Sequence, residues 1–109
     1  MELEKLLKET KSKAIFLLKE NGDAIDFYPK DNNLGELQDK ITVFKATIFN
    51  MSNHFFNTYF NTGLKEIVLK SKDENILIIK HKEYILSFLS DKSINTSLLE
   101  LVLKKEFNH

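Results

Sequence analysis

The sequence predicts an α/β (α+β) fold: a five-stranded antiparallel sheet with a long helix on one face and terminal helices on the other. Three observations carry this prediction. A short apolar run at 14–18 leads into Asn21-Gly22, a helical apolar repeat continues from Leu34 to Tyr59, and three further apolar runs follow at 64–70, 76–79 and 84–89. The element order is helix, two strands, helix, three strands, helix, and 1–109 is expected to be a single domain without repeats or a linker.

Leu3, Leu6 and Leu7 stand at helical spacing among Glu4, Lys5, Lys8 and Glu9, which predicts a short amphipathic helix ending near Ser12. The run Ala14-Ile-Phe-Leu-Leu18 has no polar side and predicts a strand buried on both faces. Asn21-Gly22 tolerates positive φ and predicts a tight hairpin into a partner at 24–28, where Ile25 and Phe27 alternate with Asp26 and Pro29 ends an edge strand. Asn33-x-x-Glu36 resembles a capping box. From there Leu34, Leu37, Ile41, Phe44, Ile48, Met51, Phe55 and Tyr59 form one stripe at spacings of three and four, with Gly63 as the stop, so the second helix runs for about 26 residues.

The runs at 64–70, 76–79 and 84–89 are separated by 71–75 and 80–83, which predicts an antiparallel meander. Ile76 to Ile79 is apolar throughout and belongs inside the sheet, with helices above and below. Ser97-x-x-Glu100 again resembles a capping box, and Leu98, Leu99, Leu101, Val102 and Leu103 lead into Lys104-Lys105 at the negative end of a third helix.

Composition excludes several functions. The chain of 109 residues, 42% hydrophobic with nine Phe, supplies one core. Its 16 basic residues balance 16 acidic ones, so no net field attracts nucleic acid or an anionic membrane. Every basic residue is Lys, which removes the bidentate phosphate clamp and any arginine finger. Without cysteine there are no disulfides, thiol nucleophiles or thiolate metal sites. No apolar stretch approaches the roughly 18 residues of a membrane span, and the charged N-terminus has no signal character, so a cytoplasmic location is expected. The N-x-S sequons at Asn50 and Asn95 are then chance matches.

The whole pattern resembles the roadblock family, the dynein light-chain type of domain that also occurs in bacterial and archaeal regulators of Ras-like GTPases. The resemblance rests on the element order, on Ala14-Ile-Phe-Leu-Leu-Lys-Glu-Asn-Gly22, on Gly63 between the long helix and the third strand, and on Tyr84-Ile-Leu-Ser-Phe-Leu-Ser-Asp91 leading to Ser97-Leu-Leu-Glu-Leu-Val-Leu-Lys104. Where the family's long helix is often rich in alanine, this one carries Phe44, Phe49, Phe55, Phe56 and Phe60. The resemblance implies a profilin-like sheet, a homodimer or a heterodimer with a paralogue, long helices packed together, and third strands paired edge to edge.

The sequence allows that assembly. Ile67, Val68 and Leu69 lie at the centre of the third strand, an edge able to recruit a partner, although Lys65, Glu66 and Lys70 are also charges of the kind that blunt an edge. On a helical wheel Phe49, Phe56 and Phe60 fall on a second apolar stripe beside the Leu34–Tyr59 one. That second stripe either tucks against the molecule itself or meets a partner. The candidate dimer contacts are therefore Phe49, Phe56, Phe60, Ile67, Val68 and Leu69.

No catalytic, cofactor or metal site is expected. His54, His81 and His109 lack metal-site spacing, and the paired carboxylates Asp23 with Asp26 and Asp73 with Glu74 sit at turns. Gly22, Gly35 and Gly63 are isolated and form no phosphate loop. Lys70-Ser71-Lys72 and Lys80-His81-Lys82 are basic hairpin tips that read first as solvated surface. Three functions follow: a non-enzymatic dimeric adaptor or regulator of a small Ras-like GTPase, a scaffold subunit of a larger complex, or a small-ligand sensor.

Overall fold

The computed structural model describes residues 3–30 and 37–91, together with 101, 103 and 104, and in the long helix it describes side chains from residue 43 onward. The elements are α1 (Leu3–Thr10), β1 (Ala14–Lys19), β2 (Ala24–Tyr28), α2 (Leu37–Phe60), β3 (Glu66–Lys70), β4 (Asn75–His81) and β5 (Tyr84–Ser90). Leu101, Leu103 and Lys104 are also helical. Both capping boxes, Asn33 to Glu36 and Ser97 to Glu100, lie outside the described residues, as do Leu34, Gly35 and His109.

The five strands form one antiparallel sheet in the order β2-β1-β5-β4-β3. β1 and β5 occupy the middle because their residues are apolar on both faces; Ile15, Leu18, Ile85, Leu86 and Phe88 are fully buried. Alternation then divides the core. Ile15, Leu17, Leu77, Ile79, Leu86 and Phe88 meet Leu3, Leu6 and Leu103 on one side, whereas Phe16, Leu18, Ile78 and Ile85 meet Ala46 and Phe49 of α2 on the other. The expected topology and the two edge strands, β2 and β3, are those observed.

α1 closes with a Schellman motif. Lys11 takes φ 57°, its N–H returns to the Lys8 carbonyl at 3.3 Å, and the Ser12 N–H reaches Leu7 at 3.1 Å. The stop of α2 differs from the sequence reading: Asn61 takes the left-handed conformation at φ 55° and the Thr62 N–H returns to Phe56, while Gly63 has no positive φ. Asparagine serves as well because its short polar side chain tolerates that region.

The β1–β2 turn also differs in type. Gly22 N–H donates to Lys19 at 3.0 Å and Gly22 takes φ 97°, so Asn21 precedes the left-handed residue and does not share it. This is a three-residue loop with a glycine bulge in place of a two-residue turn. Glycine suits the position because of that φ; a Cβ there would meet the Ala46 side chain only at ordinary contact distance, 3.5 Å.

The largest correction concerns the face that α2 presents to the sheet. Phe44, Met51, Phe55 and Tyr59, expected to form its core stripe, are 56%, 68%, 49% and 72% exposed. Lys45, Ala46 and Phe49 are buried in their place. Lys45 is thereby drawn under the helix, with Nζ 4.0 Å from the Phe16 ring centroid, and burial pulls its pKa down to about 8. Folding thus weakens proton binding at Lys45, so its contribution to stability rises with pH between that value and its ordinary 10.5. Lys45→Met is expected to stabilise the chain at neutral pH by on the order of 2 kcal/mol and to abolish that rise, as read from urea unfolding across alkaline pH.

Candidate functional site: the outer face of the long helix and the open sheet edge

Two side chains hold α2 in place. Asn50 Nδ2 donates to the Glu20 carbonyl beyond the end of β1, and Asn53 Oδ1 accepts the Leu64 N–H at 2.7 Å just ahead of β3. The helix therefore crosses from one hairpin to the entrance of the edge strand. Beyond that second anchor every residue from 54 to 60 is exposed. Seven residues at 1.5 Å rise make an overhang of about 10 Å.

The overhang is aromatic. Phe55 lies 5.7 Å from Phe56, 5.0 Å from Tyr59 and 5.8 Å from Phe60, and Phe56 lies 5.6 Å from Phe60, measured between ring centroids. These rings stack on one another at edge-to-face and tilted angles but find no core to enter. With Phe44 and Met51 they extend an apolar stripe along the outer side of α2, while the half-buried Ile48 packs against the core beneath the helix. A contiguous surface of this kind exceeds the scattered single apolar residues that a lone domain carries.

β3 supplies the adjoining part. Its pairing with β4 runs from Glu66 opposite Ile79 to Lys70 opposite Asn75, and its other side is an open edge among the described residues. Ile67 packs against the cluster beneath α2, and Leu69 is also half-buried. Val68 points to the opposite face and is 48% exposed.

Of the residues singled out from sequence, Phe60 is 61% exposed and Phe56 36%. Phe49 is different: at 1% exposure it fills the space between α2 and the sheet, beside Ala46 and with Phe16 and Ile78 beneath. It is a core residue and is withdrawn from the surface set. Phe44, Met51, Phe55 and Tyr59 take its place, having been assigned to the core by periodicity alone. The signal that distinguishes the two stripes is polar and small: Ala46, Asn50 and Asn53 sit on the sheet side, where the hairpin and the chain after the helix approach closely.

No group of three or more His, Asp or Glu among the described residues is placed to hold a metal ion. His54 is exposed on α2, and His81 lies in β4, where burial and then the Lys82 charge lower its pKa. Asp26 is ion-paired with Lys30, which holds its carboxyl below the usual range. Lys80 pairs with Glu20 at 2.7 Å, so one of the basic hairpin tips is engaged within the molecule. A surface groove of about 450 Å³ between the β1–β2 and β4–β5 turns is lined by Lys19, Glu20, Asn21, Glu83 and Tyr84. Three of those five residues are charged, unlike the predominantly hydrophobic and aromatic lining usual for a small-ligand pocket. No helix among the described residues is long and apolar enough to cross a membrane.

No protein-family model and no curated protein matches the chain. Solved structures do. A roadblock/LC7 domain from Streptomyces avermitilis superposes with a TM-score of 0.78 at 11% identity, over 96% of this chain and 90% of that one. Myxococcus xanthus MglB gives 0.76 at 16% identity, over 93% and 81%. MglB in a tetrameric arrangement gives 0.71 at 16%, over 94% and 77%. At such identities the likeness is one of fold, and the chain has the roadblock/LC7 fold.

The two stripes of α2 predict opposite responses to truncation. Phe49→Ala is expected to lower unfolding stability by about 3–5 kcal/mol. Tyr59→Ala is expected to change it by less than about 0.5 kcal/mol at concentrations where the chain is monomeric. Urea denaturation of both variants checks the assignment.

Proposed function

We propose that this chain is a single-domain, cytoplasmic member of the roadblock/LC7 family that acts as a non-enzymatic dimeric regulator of a small Ras-like GTPase. The observation that carries the reading is the unpartnered aromatic stripe of α2 lying next to the open edge of β3. The proposed occupant is a second copy of the chain, or a paralogue with the same face. Edge pairing through β3 would satisfy the backbone groups that the edge leaves open, and the two α2 helices would cover one another's Phe44, Met51, Phe55 and Tyr59. Charges of both signs at Lys65, Glu66 and Lys70 suit an antiparallel pairing of like strands, in which opposite ends meet. The tetrameric arrangement of MglB supports self-association as a property of this fold.

The GTPase partner rests on the family resemblance. With sixteen Lys and no Arg, the chain has no arginine finger to lend, so any effect on hydrolysis would come from positioning the GTPase's own switch segments.

Static light scattering on wild type and on Met51→Glu/Phe55→Glu tests the assembly. The expected result is a molar mass twice that of the chain, falling to a folded monomer in the double variant. A wild-type monomer throughout the micromolar range would refute self-dimerisation. The GTPase reading is tested separately with purified Ras-like GTPases carrying a non-hydrolysable GTP analogue: wild type is expected to bind one of them and the monomeric variant to bind more weakly. Absence of binding by a proven dimer would leave a scaffold subunit.

A further inference from the structure

The β1–β2 turn presents an exposed Asn21 followed by a buried Gly22. In that dipeptide the backbone nitrogen of residue 22 approaches the Asn21 carboxamide carbon with no side chain in the way. Attack forms a new N–Cγ bond, the bond from Cγ to Nδ2 breaks, and ammonia leaves. Water then opens the cyclic imide at either carbonyl, giving Asp or an isoaspartyl linkage. The net change is amide plus water to carboxylate plus ammonium, and no other reactant is required.

The folded turn holds both reacting groups away from this path. Asn21 Oδ1 accepts the Asp23 N–H at 2.9 Å, and Asn21 Nδ2 donates to Asp23 Oδ2 at 3.0 Å, so both ends of the carboxamide are tied to the residue beyond the glycine. The Gly22 N–H donates to the Lys19 carbonyl at 3.0 Å, which keeps the nucleophile's proton engaged on the far side of the turn. Lys19 N–H closes the loop onto the Asp23 carbonyl at 2.9 Å. The turn is also tied to α2, through Asn50 Nδ2 donating to the Glu20 carbonyl.

We propose that Asn21-Gly22 is a deamidation site whose reaction is gated by opening of the β1–β2 turn. Its product does not close again in the same form. A carboxylate at 21 loses the Nδ2 donor and stands against Asp23 with Glu20 adjacent. An isoaspartyl linkage adds a backbone methylene inside a loop that Gly22 closes at 3.0 Å, and so displaces the Glu20 carbonyl that ties the hairpin to Asn50 of α2.

The test is a time course at neutral to mildly alkaline pH. Peptide mapping follows the amide-to-acid mass change at Asn21 and an isoaspartate assay follows the linkage, in the native chain, in the chain held unfolded in urea, and in folded Asp23→Ala. The native rate is expected to be lower than the unfolded rate by about tenfold or more, as a local opening equilibrium requires. Asp23→Ala, which removes the acceptor of Nδ2, is expected to react faster than native wild type, and Asn21→Ser to show no product. Equal rates in the native and unfolded wild-type chain would overturn the gating. No product at Asn21 in the unfolded chain would overturn the site itself, and neither result depends on Asp23→Ala folding.

Discussion

The structure depends on one constraint, that β1 and β5 are buried on both faces. Strands such as Ala14–Lys19 and Tyr84–Ser90, with Ile15, Phe16, Leu18, Ile85, Leu86 and Phe88 all below a few per cent exposure, cannot face water on either side. The sheet must be roofed twice. α1 and Leu103 cover one face, and among the described residues α2 covers the centre of the other. A single helix contacts a sheet along one narrow strip, so the roof uses Ala46 and Phe49 and leaves most of the circumference of α2 without a role in the monomer's core.

Much of this architecture is legible in the sequence. The double burial of 14–18, the alternation at 24–28 and the apolar run at 76–79 determine the middle and the edges of the sheet, because a period of two and its absence report directly how many faces are covered. Turn details were less legible. A glycine after asparagine fits either a two-residue turn or a three-residue loop with a bulge, and the choice depends on the register of Leu18 against Ala24, a tertiary fact. Asn61 in place of Gly63 as the stop of α2 is likewise decided by where the chain must turn back toward Asn53.

The candidate site was legible in kind but wrong in assignment. Two apolar stripes on one helix announce two apolar contacts, yet periodicity does not say which one is internal. The longer stripe, from Leu34 to Tyr59, reads as the core by its spacing of three and four. The decision is made by close approach. The hairpin passes beside the small side chain of Ala46, so that a Cβ on Gly22 would just touch it, and a bulky side chain at that helix position would crowd the turn. Asn50 and Asn53 then serve as anchors on the same side, each hydrogen-bonded to a main-chain group of another segment.

Adjacent residues show how far this arrangement departs from burial alone. Lys45 is 2% exposed beneath α2, while Phe44 beside it is 56% exposed. Burying an ammonium is unfavourable, and leaving an aromatic side chain in water forgoes roughly 1.5–3 kcal/mol. A chain optimised as a monomer would turn the helix so that the Phe44, Met51 and Phe55 side faced the sheet. The hairpin contact and the two asparagine anchors oppose that rotation, so the outward orientation of the aromatics is built into the fold and does not result from a poorly packed surface. An orientation held against the preference of its own side chains suits a surface that is covered in the working protein. The proposed dimer supplies that cover, and the overhanging aromatics beyond Asn53 lie where a neighbour's helix would meet them.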